Sequence, residues 1–247
     1  MKNYIAQAGA KVTLDNNGEQ TTVDVYSREG LDLLGNLWIK SAAQHRLMYE
    51  PTWLGRPVIQ FPTDIVAMQE LFWKLQPDVI VETGVAHGGS LVLSASILEL
   101  IGKGKVVGVD IEIRPHNRAA IEAHPLKHRI ELIEGSSIAA DTLAAVHAAV
   151  GSAGTVLVML DSNHTEAHVL QEMELYSPLV TPGSYIVVHD GAQAWVWDMP
   201  NGKPEWKDDH PLGAIHKFLA RHPEFSNDPH WTRWGITSSP DGFLKRA

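Results

Sequence analysis

Two hydrophobic periods alternate along the chain from Pro77 onward. β-Branched apolar runs near 78–83, 105–110, 129–134, 155–161 and 184–190 read as strands buried on both faces, where no polar alternation is needed. Segments 88–101, 115–124, 137–150, 164–176 and 211–221 between and after them read as helices. Strictly alternating strands and helices predict an α/β fold, a doubly wound, mostly parallel sheet with right-handed crossovers. Upstream, residues 29–49 form a helical pattern with Leu31, Leu33, Leu34, Leu37 and Trp38 on its apolar face. A second helix follows Pro57, with Thr63 as its N-cap and Ile65, Met68, Leu71 and Phe72 at helical spacing. KVTLDNNGEQTTVDVYS predicts a hairpin turning at Asn16-Asn17-Gly18. The tail WTRWGITSSPDGFLKRA reads as two short strands around Pro240-Asp241-Gly242, an antiparallel pair at the sheet edge. The expected organisation is one domain over 1–247, with a hairpin and helical extension at 1–76 and the catalytic core at 77–247.

Four of the apolar runs end in a carboxylate: Glu82, Asp110, Asp161 and Asp190. An open α/β sheet binds its ligand beyond the carboxyl ends of its strands, so these four residues should converge on one sheet edge.

Composition narrows the chemistry. The 247 residues are 44% hydrophobic, enough for a sizeable core. The chain contains no cysteine, which excludes disulfides, thiol catalysis and cysteine-ligated metals. A formal charge of −9 without a basic stripe argues against nucleic acid as a partner. Neither a membrane span nor a secretory signal is expected, and a cytoplasmic location fits.

The loop Gly84-Val85-Ala86-His87-Gly88-Gly89 joins the first core strand to a helix. A dinucleotide fingerprint needs glycine where Ala86 stands, because the backbone must approach a pyrophosphate there. A phosphate-binding P-loop needs Lys then Ser or Thr after its last glycine, and neither is present. S-Adenosylmethionine carries no phosphate and tolerates a wider loop. Glu82 is then placed to face its ammonium end, Asp110 its ribose hydroxyls and Gly135-Ser136-Ser137 its adenine. NAD enzymes share the acid that ends the second strand, so that residue alone does not separate the two cofactors.

A second set comprises Asp161, His189 and Asp190, from the ends of strands expected to be neighbours. Oxygen-rich donors suit Mg²⁺, which can lower the pKa of a bound hydroxyl. His164 lies nearby as a proton acceptor. His164 and His168, four residues apart, also match half of a zinc site.

These blocks resemble one family. WLGRPVIQFPTDIVAMQELFWKLQPDVIVETGVAHGGS, LDSNHTEAHVLQEMELYSPLVTPGSYIVVHDG and GITSSPDGFLKR, which span much of the chain, are similar to the cephalosporin hydroxylase family. Its studied members are mostly S-adenosylmethionine- and Mg²⁺-dependent O-methyltransferases, including enzymes that methylate rhamnose and other sugars. The resemblance implies a class I methyltransferase, Rossmann-like fold. It assigns the methionine part of the cofactor to Glu82, Gly84, Ala86, His87, Gly88, Gly89 and Ser90, the ribose to Asp110 and the adenine to Ser136. Asp161 would border the cofactor and, with Asp190, hold the metal, while His189 occupies a position that is usually acidic. His164, three residues after Asp161, would be the general base. Some sugar-methylating relatives carry an acid where Asn163 stands, and an amide cannot accept the proton. The resemblance also implies a homo-oligomer acting on a small hydroxylated acceptor.

Trp195, Trp197 and Trp206, just after the last metal-type strand, offer flat faces for a sugar, with Tyr49, Trp53 and Arg56 closing the other side. Two rival readings stay open: a metal-dependent hydrolase or oxygenase built on Asp161, His164, His189 and Asp190, and a cofactor-binding scaffold without turnover.

Overall fold

The computed structural model describes residues 5–7, 10–16 and 18–247. β1 (Ile5–Gln7), β2 (Lys11–Asn16) and β3 (Glu19–Asp24) form an antiparallel sheet. β2 and β3 pair in the expected hairpin, and Gly18 donates to the Asp15 carboxylate at 2.8 Å; Asn17 lies outside the described residues. α1 (Arg28–Gln44) is capped by Ser27, whose hydroxyl accepts from the amide of Gly30. The helix stops before the expected end at residue 49; a separate 3₁₀ turn covers Leu47–Tyr49 after a left-handed Arg46. β4 (Thr52–Trp53) and β5 (Arg56–Pro57) make a small ribbon that leads into α2 (Pro62–Leu75). The N-cap of α2 is Phe61, not Thr63: Pro62 fits the first helical position, so the boundary falls two residues earlier.

The main sheet has seven strands. β6 (Val79–Thr83), β7 (Lys105–Asp110), β8 (Ile130–Glu134), β9 (Val156–Leu160) and β10 (Tyr185–Val188) are parallel. β12 (Phe243–Arg246) runs antiparallel to both β10 and β11 (Phe225–Asn227), giving the order β11-β12-β10-β9-β6-β7-β8. The antiparallel edge is therefore present, but its second strand is 225–227 rather than a segment of 231–239. Residues 237–239 are instead drawn onto the buried carboxylate of Asp64 at the start of α2. Asp64 accepts from the Thr237 hydroxyl at 2.6 Å and from the Ser238 amide and hydroxyl at 2.7 and 2.9 Å.

Period-two alternation assigns each strand's side chains to two cores. Ile80, Val106, Leu157 and Val187 pack with Leu71 and Phe72 of α2 and with Leu91 and Leu98 of α3 (Gly89–Ile101). Val81, Val107, Val158 and Ile186 face the other side. There they meet Val146 of α5 (Ala140–Val150), Met173 of α6 (Glu166–Tyr176) and Phe218 of α8 (Pro211–Leu219). Each such side chain contributes roughly 1.5–3 kcal/mol by leaving water, which is why the runs need no polar partner. α4 (Pro115–Glu122) follows β7, and the short α7 (Gln193–Val196) follows β10. No helix among the described residues is long and apolar enough to cross a membrane.

Candidate active site

The sheet reverses its winding between β6 and β9, and two adjoining cavities open at that point, beyond the strand ends. One, about 220 Å³, is lined among others by Tyr49, Gln60, Ser90, Asp161, His164 and Asp190. The other, about 160 Å³, is lined among others by Asp110, Ser136, Ser137, Asn163 and His168. Gly84 and Ser162 border both, so the two form one elongated trough.

The glycine loop shapes the floor. Gly84 has φ +93°, and a Cβ there would strike the backbone carbonyl of Asp161 across the reversal point. A Cβ on Gly89 would strike the carbonyl of Pro57. Ala86, His87, Gly89 and Ser90 line the larger cavity. Gly88 does not: it caps α3 in the left-handed region and packs on Ile121. Glu82 does not reach the cavity either. Its carboxyl is fully buried beneath the loop and accepts from the Ser90 hydroxyl, while its Oε2 has no partner among the described residues. Burial raises its pKa to about 8, with the Ser90 hydrogen bond opposing, so the group stays largely protonated at neutral pH. Instead of facing a ligand's ammonium, Glu82 supports Ser90 from below.

Asp110 closes the loop from β7. One carboxylate oxygen accepts from the amides of Val85 and Ala86 at 2.8 and 3.2 Å, and the other from Glu112 at 3.2 Å. Two residues that sequence reasoning did not assign to the loop clamp its other side. Asn117 donates to the Ala86 carbonyl at 2.8 Å, and Arg56 donates to the His87 carbonyl and, at 3.0 Å, to the amide oxygen of Asn117. No local pattern marks Asn117; it is buried on α4, thirty-one residues from its partner.

Asp161, His164 and Asp190 form a cluster whose donor atoms all lie within 4.8 Å of one another. His164 Nε2 stands 3.2 Å from Asp190 and 3.8 Å from Asp161. The Asp161 carboxyl is held well above the ordinary carboxylate range, first by burial and then by the neighbouring Asp190 carboxylate. His189 is not part of the cluster. It precedes Asp190, which has φ +57°, and its ring turns into the interior, 3% exposed, with Nδ1 3.1 Å from the Ser239 hydroxyl. Burial lowers its pKa to about 4, so it is neutral at physiological pH. His168 also lies apart, with Nε2 directed to Ser137 and Ser162 at 3.2 and 3.4 Å, so the zinc half-site is not assembled. The Asn163 side chain accepts from the amide and hydroxyl of Thr165 at 2.9 and 2.8 Å, at the start of α6.

The expected tryptophan wall is not at the cavity. Trp195 and Trp206 pack into a small core with Ile39, Ala42 and Phe61, and the Trp197 ring is covered by Lys207 Nζ at 5.4 Å. Trp53 is likewise structural, donating to Ser96 at 2.9 Å. Tyr49 does line the cavity. Apolar side chains next to α1 gain more by packing on that helix than by facing water, which local sequence does not disclose.

The strand order, with antiparallel β12 beside β10, and the glycine loop at the reversal point define the Rossmann-like fold of class I methyltransferases. Residues 45–247 match the family described as Rhamnosyl O-methyltransferase/CmcI. The chain is 31% identical over 203 residues to the rhamnosyl O-methyltransferase of Mycobacterium tuberculosis, covering 79% of this chain and 78% of that one. It is 30% identical over 201 residues to the Mycobacterium leprae protein of the same name, covering 79% and 82%. Among solved structures, CmcI with Mg and S-adenosylmethionine superposes with a TM-score of 0.59 at 19% identity, covering 81% of this chain and 77% of that one. An O-methyltransferase from Bacillus cereus in complex with S-adenosylhomocysteine gives 0.51 at 20% identity, covering 79% and 81%. The protein belongs to the Rhamnosyl O-methyltransferase/CmcI family.

Proposed function

We propose that this protein methylates a hydroxyl group of a sugar or of a glycosylated natural product, with a divalent cation held by Asp161 and Asp190. The observation that carries the reading is the convergence of Asp161, His164 and Asp190 on the wall of a trough whose other end presents Asp110 and Ser136. The donor set fits a hard cation such as Mg²⁺: two carboxylates from neighbouring strands, one of them with its pKa raised first by burial and then by its Asp190 neighbour, a repulsion that a cation would relieve. When bound, the cation polarises the acceptor hydroxyl and eases its deprotonation. S-Adenosylmethionine supplies the electrophilic methyl group.

The protein's own part is alignment and proton transfer. The glycine loop, fixed by Asp110, Asn117 and Arg56, sets the trough's floor, and such preorganisation supplies much of the gain in a displacement reaction. Asp110 takes the ribose hydroxyls and Ser136 the adenine. His164 accepts the acceptor's proton, and the Asp190 carboxylate beside Nε2 stabilises the imidazolium that results. Its side chain is 40% exposed, so an acceptor can reach it from solvent. Half-exposed Leu31, Leu34 and Trp38 along α1 support a homo-oligomer. A panel of rhamnosides, other glycosides and catechols, read by mass spectrometry, tests the substrate class. Methylated glycosides are the expected products; methylation of catechols alone would refute the sugar assignment.

A further inference from the structure

We infer that Gln60 grips the amino-acid end of S-adenosylmethionine, from a strap outside the parallel sheet. Gln60 is 3% exposed, and neither its amide oxygen nor its amide nitrogen has a partner among the described residues. It nevertheless lines the larger cavity, as Ser90 and Asp161 do. A buried donor and acceptor left unpaired cost as much as lost hydrogen bonds, so an amide kept in that state points to a ligand that completes it.

Three observations locate the ligand's end. The strap that carries Gln60 leaves β5 pressed against the N-terminus of α3, with the Pro57 carbonyl on Gly89. α3 runs for 13 residues, and the first amides of such a helix favour a carboxylate. The trough also has a direction. With the nucleoside at Asp110 and Ser136, the rest of the cofactor passes Gly84 into the larger cavity. Within that cavity the His164 side chain is partly open to solvent, whereas Gln60 is buried. An acceptor arriving from solvent meets the exposed groups, and the cofactor's far end meets the buried wall.

The chemistry of the amide matches. An α-amino acid presents an ammonium donor and a carboxylate acceptor on neighbouring atoms, and a carboxamide presents one acceptor and one donor. The Gln60 amide oxygen takes the ammonium and its amide nitrogen donates to the carboxylate.

S-Adenosylhomocysteine and 5′-methylthioadenosine differ in this respect, because the second lacks the amino-acid end. Calorimetric titration of both into wild type and Gln60→Met, with thermal melts to confirm that the variant folds, isolates the contact. Gln60→Met should weaken S-adenosylhomocysteine by about 10- to 100-fold and leave methylthioadenosine within about twofold. Equal losses for both ligands would assign Gln60 a purely structural role and overturn the inference. Unchanged S-adenosylhomocysteine binding with a raised KM for the acceptor would also overturn it, placing Gln60 on the acceptor side. The inference rests on the S-adenosylmethionine reading, and the failures separate: wild type that binds neither nucleoside defeats the reading itself.

Discussion

Replacing Glu82 by glutamine should make the cofactor-free protein more stable, and by an amount that grows with pH. The Glu82 carboxyl has no exposed surface, and burial lifts its pKa from the ordinary 4.5 to about 8. A folded pKa above the unfolded one means that the folded protein keeps a proton which the unfolded chain has released. The linked stability is complete below the unfolded pKa and is lost progressively as pH rises towards the folded value. Each tenfold in proton affinity is worth about 1.4 kcal/mol, so the loss between about pH 5 and about pH 8 comes to about 3–4 kcal/mol. The side chain of Glu82→Gln does not titrate. Its amide oxygen can still accept from the Ser90 hydroxyl, and its nitrogen replaces an oxygen that was already without a partner among the described residues. Urea denaturation of both proteins across this range gives the difference, since the other titrating groups cancel apart from Asp161, whose carboxyl feels the Glu82 charge. The variant should gain little near pH 5 and about 3–4 kcal/mol near pH 8, roughly 10 °C in Tm for a chain of this length. A difference that stays constant with pH would refute the reasoning, because it would mean that the Glu82 carboxyl titrates alike in the folded and unfolded states.

Other consequences concern the trough. His164→Ala should lower the methyl-transfer rate by about 10²–10⁴ while calorimetric binding of S-adenosylhomocysteine is kept; an unchanged rate would remove His164 as the base. Gly89→Ala forces a Cβ into the Pro57 carbonyl and should depress both thermal stability and cofactor affinity, whereas Gly18→Ala meets no atom nearby and should leave affinity unchanged. Asn117→Ala leaves the Ala86 carbonyl unpaired and Arg56 with the His87 carbonyl alone, at a cost of about 1–3 kcal/mol, and faster amide exchange in residues 84–89 should report the loosened loop.

Most of the sheet was legible in the chain because its strands are buried on both faces. Runs such as Val156–Leu160 have no polar position, and each parallel strand implies a crossover helix, so the parallel core and the placing of Asp110, Asp161 and Asp190 at one edge of the sheet follow from period and order alone. Details that depend on side-chain direction were not legible. His189 and Asp190 are neighbours in sequence, yet one turns to Ser239 and the other to the cavity. Contacts between distant segments carry no local period either. Thr237 and Ser238 read as strand formers until Asp64, more than 170 residues earlier, offers them a buried carboxylate. The same holds for Trp195, which α1 claims for a core, and for Arg56 and Asn117, whose value appears only when the carbonyls of the glycine loop reach them.

The most direct test of metal-assisted transfer to a sugar hydroxyl is the movement of label from methyl-labelled S-adenosylmethionine to methyl α-L-rhamnoside, run with Mg²⁺ and with a chelator. Labelled glycoside that forms with Mg²⁺, disappears with chelator and returns on adding Mg²⁺ back is the predicted result. Transfer that continues undiminished with chelator present would contradict the role given to Asp161 and Asp190.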